Sequence, residues 1–375
     1  MQYISTRGTA PELNFEEAML AGLARDGGLY VPKTLPKFDS NFISSLGHLS
    51  YEEIAFKVMK PFVGEVFEEA EFKNIIHQSY SKFVHQSKAP LRQLSDKHYL
   101  LELYHGPTLA FKDFAMQLIG QLFRISLSKS KKRVTIIGAT SGDTGSGAIE
   151  AFKGLDAVDV FILYPRGRVS EVQRRQMSTP SAKNVHAISI DGDFDDCQKA
   201  LKDLFNDLKF RDKVNLSGVN SINWARIMAQ IVYYFSSYSS LDLGGKKVRF
   251  TVPTGNFGDI FAGYIAKKIG LPISKLIIAT NQNDILHNAL ISGEYVRGIV
   301  NPSISPSMDI QVSSNFERAL YYALKCDADE VSRLFSDFAR TGNFKIQESA
   351  LINLLSHYSS GKVSEDETSE TINNA

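Results

Sequence analysis

The sequence predicts an α/β protein, and three observations carry that prediction. Short runs rich in β-branched and other apolar residues recur at 134–138, 158–163, 185–190, 248–252 and 276–279. Stretches with helical spacing alternate with them, the cadence of parallel strands covered by helices on both faces. Loops crowded with Gly, Ser, Thr and Asn directly follow two of the runs, where open parallel sheets take their ligands.

Residues 1–89 read as an N-terminal, mostly helical module. Stretches 52–62 and 68–83 mix charged and apolar residues at helical spacing, and Asp26-Gly27-Gly28-Leu29-Tyr30-Val31-Pro32 is a turn entering an extended segment. A boundary near Ala89-Pro90 opens one α/β lobe, 90–240, and a second covers 241–375, the two lobes being expected to interweave. The total of 375 residues fits this division, since roughly 150 residues make a domain. A chain this long buries roughly 75% of the surface its unfolded form exposes, so its core needs no staples.

Composition removes several function classes. Forty-two Lys and Arg against 41 Asp and Glu leave a net charge of +1, without the basic excess that general nucleic-acid binding requires. A small basic pocket for one anion stays compatible. Cys197 and Cys326 share no metal-ligand spacing and make no disulfide framework, which suits a reducing compartment. The N-terminus lacks a basic stretch followed by an apolar run, and no stretch approaches the ~18 apolar residues of a membrane span. A cytoplasmic protein without nucleic-acid or membrane partners is expected. The eight histidines form no pair at ligand spacing, so no metal is expected.

Three segments carry candidate chemistry. In Thr251-Val252-Pro253-Thr254-Gly255-Asn256-Phe257-Gly258-Asp259, a strand feeds a glycine turn and then a helix over 260–268. Free N–H groups and the positive helix end make such a turn an anion site; an ordinary strand-to-helix turn fits equally well. In Ala139-Thr140-Ser141-Gly142-Asp143-Thr144-Gly145-Ser146-Gly147, hydroxyls and N–H groups crowd as for a carboxylate or phosphate, ahead of a helix over 147–152. Thr140, Ser141 or Asp143 serve equally as helix caps. In His105-Gly106-Pro107-Thr108-Leu109-Ala110-Phe111-Lys112-Asp113, Lys112 falls in the first turn of an amphipathic helix marked by Phe111, Phe114, Ala115, Leu118, Leu122 and Ile125. An ammonium among apolar groups at a helix N-terminus is disfavoured, which is how nucleophilic or Schiff-base lysines are made. For the tripeptide alone, a lysine snorkelling to the surface is the better reading. His105 fits a structural turn as well as a site wall, and Trp224 reads as core.

The ordered set HGPTLAFKD, ATSGDTGSG, NSINWAR and VPTGNFGD resembles the threonine synthases, pyridoxal-phosphate enzymes of the tryptophan-synthase-β fold class. The likeness runs from Tyr3-Ile4-Ser5-Thr6-Arg7-Gly8 to the last residues. It implies a fold-type-II enzyme with two parallel-sheet lobes and an N-terminal module. Lys112 would carry pyridoxal 5'-phosphate as an imine, and Gly255, Asn256, Phe257, Gly258 and Asp259 would cradle its phosphate. Thr140, Ser141, Gly142, Asp143 and Thr144 would hold the substrate α-carboxylate and flank the cofactor ring. Asn220, Ser221, Asn223 and Arg226 would hold a second phosphate, that of O-phospho-L-homoserine. An arginine fork matches a phosphate bidentately, while pairing of Arg226 with a carboxylate is the other reading.

The implied reaction converts O-phospho-L-homoserine and water to L-threonine and phosphate, with the Lys112 amine as general base. A phospho-lyase releasing 2-oxobutanoate and a cofactor-free relative are the alternatives, and a monomer or weak homodimer fits either. Members of the resembled family continue some tens of residues further. Residues 365–375 read as a capped helix without a stop signal. The further stretch would carry a hydroxyl residue bonding the pyridine nitrogen, so weaker cofactor affinity than in a longer chain is expected.

Overall fold

The computed structural model describes residues 1–192, 194–241 and 243–374. The chain forms two compact units, one of residues 13–23 and 41–242 with Met1, the other of residues 2–12, 24–40 and 243–375.

The first unit is built on a four-stranded parallel sheet in the order Val185–Ile190, Val158–Pro165, Val134–Ala139, Leu216–Ser217. The chain starts at Val134–Ala139, lays the next two strands on one side, then returns to place Leu216–Ser217 on the other. Strand order therefore reverses beside Val134–Ala139. The loops leaving the carboxyl ends of the two strands flanking that point diverge and leave a crevice. Those loops are the Thr140 and Asn220 segments.

Two helices support the crevice. Asp113–Ser130 buries Phe114, Ala115, Leu118 and Leu122 at the expected spacing, each large side chain contributing about 1.5–3 kcal/mol. Trp224–Ser239 is apolar nearly all round, and residues 224–238 are all buried, Trp224 among them. Tyr51–Val63, started by a Ser50–Glu53 capping box, packs on Trp224–Ser239. Glu69–Tyr80 packs on Asp113–Ser130.

The second unit holds a parallel sheet in the order Val248–Pro253, Ile273–Thr280, Tyr358–Lys362. Strand Gln2–Ser5 pairs antiparallel with Tyr30–Pro32, the extended segment expected after the Gly27-Gly28 turn. Tyr358–Lys362 was not expected. It reads Tyr-Ser-Ser-Gly-Lys, without a β-branched run, and its backbone pairing with residues 276–280 makes it a strand. The helix Glu365–Asn374 is capped by Ser364 and Glu367, as its sequence suggests, while Ala375 lies outside the described residues.

Two helices begin earlier than the sequence indicates. The helix expected over 147–152 starts at Asp143, because Thr140 Oγ1 accepts from the N–H groups of Gly142 and Gly145 at 2.9 Å each. The helix expected from Ile260 starts at Gly258, behind Phe257 in the left-handed region at φ 61°. Lys112, expected inside the first turn, is instead the N-cap of Asp113–Ser130, with helical φ −63° and ψ −20°. Among the described residues, no helix is long and apolar enough to cross a membrane.

Candidate active site

In the first unit, Lys112, Asp143, Asn220 and Arg226 come together around the crevice. Lys112 is 8% exposed, and its Nζ donates to Asp143 Oδ2 at 3.3 Å. Burial lowers the amine pKa. Asp143 opposes that shift and the nearby Arg226 charge adds to it. The position of Lys112 depends on its neighbour. Asp113 is fully buried and accepts from Thr108 N at 2.8 Å and Thr108 Oγ1 at 2.7 Å, folding the His105–Thr108 turn onto the helix start. A Cβ on Gly106 would lie 2.5 Å from Asp113 Cβ, so this turn requires glycine.

The carboxylate of Asp143 is held from both sides, Lys112 on Oδ2 and the Gln173 amide on Oδ1. Thr140, expected to meet the substrate, directs Oγ1 to capping the helix, so the capping alternative describes its acceptor role. Ser141 lies half-buried in the same loop, and Thr144 half-buried in the first turn of the helix that follows it.

The Asn220 segment follows Leu216–Ser217, the strand beside Val134–Ala139, and this adjacency brings Asn220 Nδ2 to Ala139 O at 3.3 Å. Asn220 Oδ1 is buried without a hydrogen-bond partner. Arg226 is 2% exposed, its Nε has no hydrogen-bond partner, and Nη1 reaches only Val219 O at 3.4 Å. No ion pair of Arg226 with a carboxylate occurs among the described residues. Burial pulls its pKa down to about 10. A buried guanidinium lacking an anion is costly, and an incoming phosphate matches it. Ser221 sits half-buried beside them.

Asn223 departs from the expectation. Its amide donates to Met19 O at 2.8 Å and Gly218 O at 3.0 Å, and its Oδ1 caps the Trp224–Ser239 helix through Ala225 N. With the side chain fully buried and every polar atom engaged, it positions the helix bearing Arg226 and offers nothing to a ligand.

In the second unit, Gly255 O accepts from Ser313 Oγ at 2.6 Å, and Asn256 O accepts from Asn315 N and Nδ2, each at 3.0 Å. Trans peptides place the next N–H groups, of Asn256 and Phe257, on the opposite side from those carbonyls. Phe257 makes no side-chain cap to the helix Gly258–Lys268, and Asp259 stands in its first turn. A positive φ at a bulky residue ahead of an uncapped helix start suits a backbone cradle for phosphate. In the first unit, a buried amine and a buried guanidinium with no carboxylate partner among the described residues fit an aldehyde cofactor and a phosphorylated substrate, and in the second unit the cradle by itself fits a phosphate.

Asp113 and Gln173 were missed in the sequence. Ser170-x-x-Gln173 is a visible capping box, but its contact with Asp143 depends on tertiary packing. A cavity of about 560 Å³ takes in Pro107, Thr108, Ser146 and Gln176, but not Lys112.

Fold and site together define a pyridoxal-phosphate-dependent enzyme, and the family described as "Pyridoxal-phosphate dependent enzyme" matches residues 84–355. "Threonine synthase N terminus" matches residues 2–80. The chain belongs to the threonine synthase family. It is 53% identical over 372 residues to threonine synthase of Pseudomonas aeruginosa, covering 99% of this chain and 79% of that protein. The crystal structure of pyridoxal-phosphate-bound threonine synthase from Brucella melitensis superposes with TM-score 0.93 at 54% identity, covering 98% of this chain and 79% of that one. Threonine synthase-like 2 of Rattus norvegicus is 38% identical, covering 99% and 78%.

Proposed function

We propose that this enzyme converts O-phospho-L-homoserine and water to L-threonine and phosphate. The observation that carries the reading is a buried Lys112 amine in one crevice with Asp143 and an arginine that has no carboxylate partner among the described residues. Lys112 would hold pyridoxal phosphate, with residues 255–259 around its phosphate. When bound, the cofactor supplies an electron sink for charge developing at the substrate α-carbon.

The chain's own groups account for the rest. The lowered pKa of Lys112 favours the neutral amine, which takes the α-proton as general base. N–H and hydroxyl groups of the Thr140–Thr144 segment hold the α-carboxylate. A β-proton leaves as the bond from the γ-carbon to phosphate breaks, with Arg226, Asn220 and Ser221 holding the departing phosphate; the γ-carbon then takes up a proton and water adds at the β-carbon. Residues 1–89, 90–240 and 241–375 act as N-terminal module, lysine lobe and cradle lobe of a cytoplasmic monomer or weak homodimer. Neither the exposed Cys326 nor the buried Cys197 is in a disulfide, which supports a reducing compartment.

The match to threonine synthase-like 2 supports keeping a second reading. In it, a phospho-lyase stops after elimination and releases 2-oxobutanoate, ammonia and phosphate. Incubating purified holoenzyme with O-phospho-L-homoserine separates them, since threonine supports the first and 2-oxobutanoate the second. Lys112→Ala should lose both turnover and borohydride-fixable cofactor. A variant keeping both would overturn the assignment of Lys112.

A further inference from the structure

We infer that Gln173 is a positioning residue for Lys112, acting through Asp143. This rests on the proposed role of Lys112 and adds a residue from outside the motifs. Gln173 lies on the helix Glu171–Ser178, where Ser170 Oγ donates to its Oε1 at 2.9 Å. That bond fixes the amide orientation and leaves Nε2 to donate to Asp143 Oδ1, while Lys112 donates to Asp143 Oδ2. A side-chain relay thus joins an exposed helix cap to a buried amine.

The backbone shows that the contact is built in. Gly142 has φ 145°, and a Cβ there would lie 2.1 Å from Gln173 Oε1, so the loop can approach Gln173 only as glycine. Ser146 Oγ lies within hydrogen-bond reach of both Gly142 O, at 3.2 Å, and Gln173 O, at 3.4 Å, tying the two segments a second time.

The charged groups facing the Lys112 amine are Asp143, from Asp143–Phe152, and Arg226, from Trp224–Ser239, with the Phe111 ring at 5.5 Å. Asp143 favours the ammonium; burial and Arg226 favour the neutral amine. The hydrogen bond from Gln173 favours ionised Asp143 and holds it against Lys112. Without it the carboxylate is held less firmly against Lys112, and the balance there moves toward the neutral amine. Gln173 thereby sets the charge balance at Lys112 and, through Asp143, the position of its amine, so the kcat lost with it is lost aim and not lost base.

The test uses Gln173→Met, Asp143→Asn and the double variant. Competitive labelling of Lys112 by an amine-reactive anhydride, read by mass spectrometry across pH, reports the amine in the cofactor-free protein. Gln173→Met should move the Lys112 labelling midpoint to lower pH, and Asp143→Asn should move it further. In the Asp143→Asn background, Gln173→Met should move it no more. In the holoenzyme, kcat should fall roughly tenfold with little change in KM. An unshifted midpoint in Gln173→Met, or equal shifts with and without Asp143, would overturn the inference. If the wild-type holoenzyme makes no threonine while the labelling shifts hold, the proposed activity fails and the positioning role stands.

Discussion

At the scale of single residues, the site depends on polar groups that folding leaves unsatisfied. Arg226 is the clearest case, a guanidinium buried with no carboxylate partner among the described residues and with its pKa pulled to about 10. Replacing it with an apolar side chain of similar length removes a desolvated charge from the free protein. We therefore expect Arg226→Met to raise the melting temperature, by about 1 kcal/mol of stability, while removing the extra stabilisation that inorganic phosphate gives the wild type. Thermal melts with and without phosphate check both effects, and a variant still stabilised by phosphate would contradict the role. Lys112 and Arg226 were legible as residue types in their motifs. The commitments of Asn223 and Thr140 were not, because backbone groups far along the chain or across a tight turn decide whether a side chain is left for a ligand.

At the scale of elements, sequence pattern located helices better than their first residues. Thr140 and Phe257 show why. A helix start depends on which N–H groups find a partner or a permitted φ, and apolar periodicity carries no information about either. The end of Glu348–His357 illustrates an electrostatic consequence. His357 is half-buried near Lys267, Lys268 and Lys275, and burial first, then those charges, pull its pKa from 6.5 to about 4. The folded state keeps this imidazole neutral. Below about pH 6.5 the unfolded chain takes up a proton that the folded one does not, so stability is lost as pH falls from there toward 4. His357→Gln should lose less stability than the wild type between pH 7.5 and 4.5. Urea unfolding at the two pH values measures this, and equal losses would remove His357 as the cause.

At the scale of the whole molecule, the N-terminal segment is divided between the two compact units. Strand Gln2–Ser5 and the residues after it belong to the second unit, where Arg7 bonds Glu317 at 2.9 and 3.1 Å and Thr6 Oγ1 bonds it at 2.6 Å. Glu317 is 3% exposed, so Glu317→Ala should cost about 2–3 kcal/mol by leaving these donors without their anion. A urea midpoint unchanged from wild type would show that the brace is dispensable. The sequence by itself determined the α/β class, the lysine, the glycine turns and the family, because periodicity and long motifs are local properties written in consecutive residues. Only the tertiary structure decided that strand order reverses beside Val134–Ala139, that Gln173 reaches Asp143, that Arg226 is buried with its Nε unbonded and that Tyr358–Lys362 is a strand. These depend on partners distant along the chain. Burial and backbone pairing between such segments set the free energy of each, and no short window of sequence contains both sides of the contact.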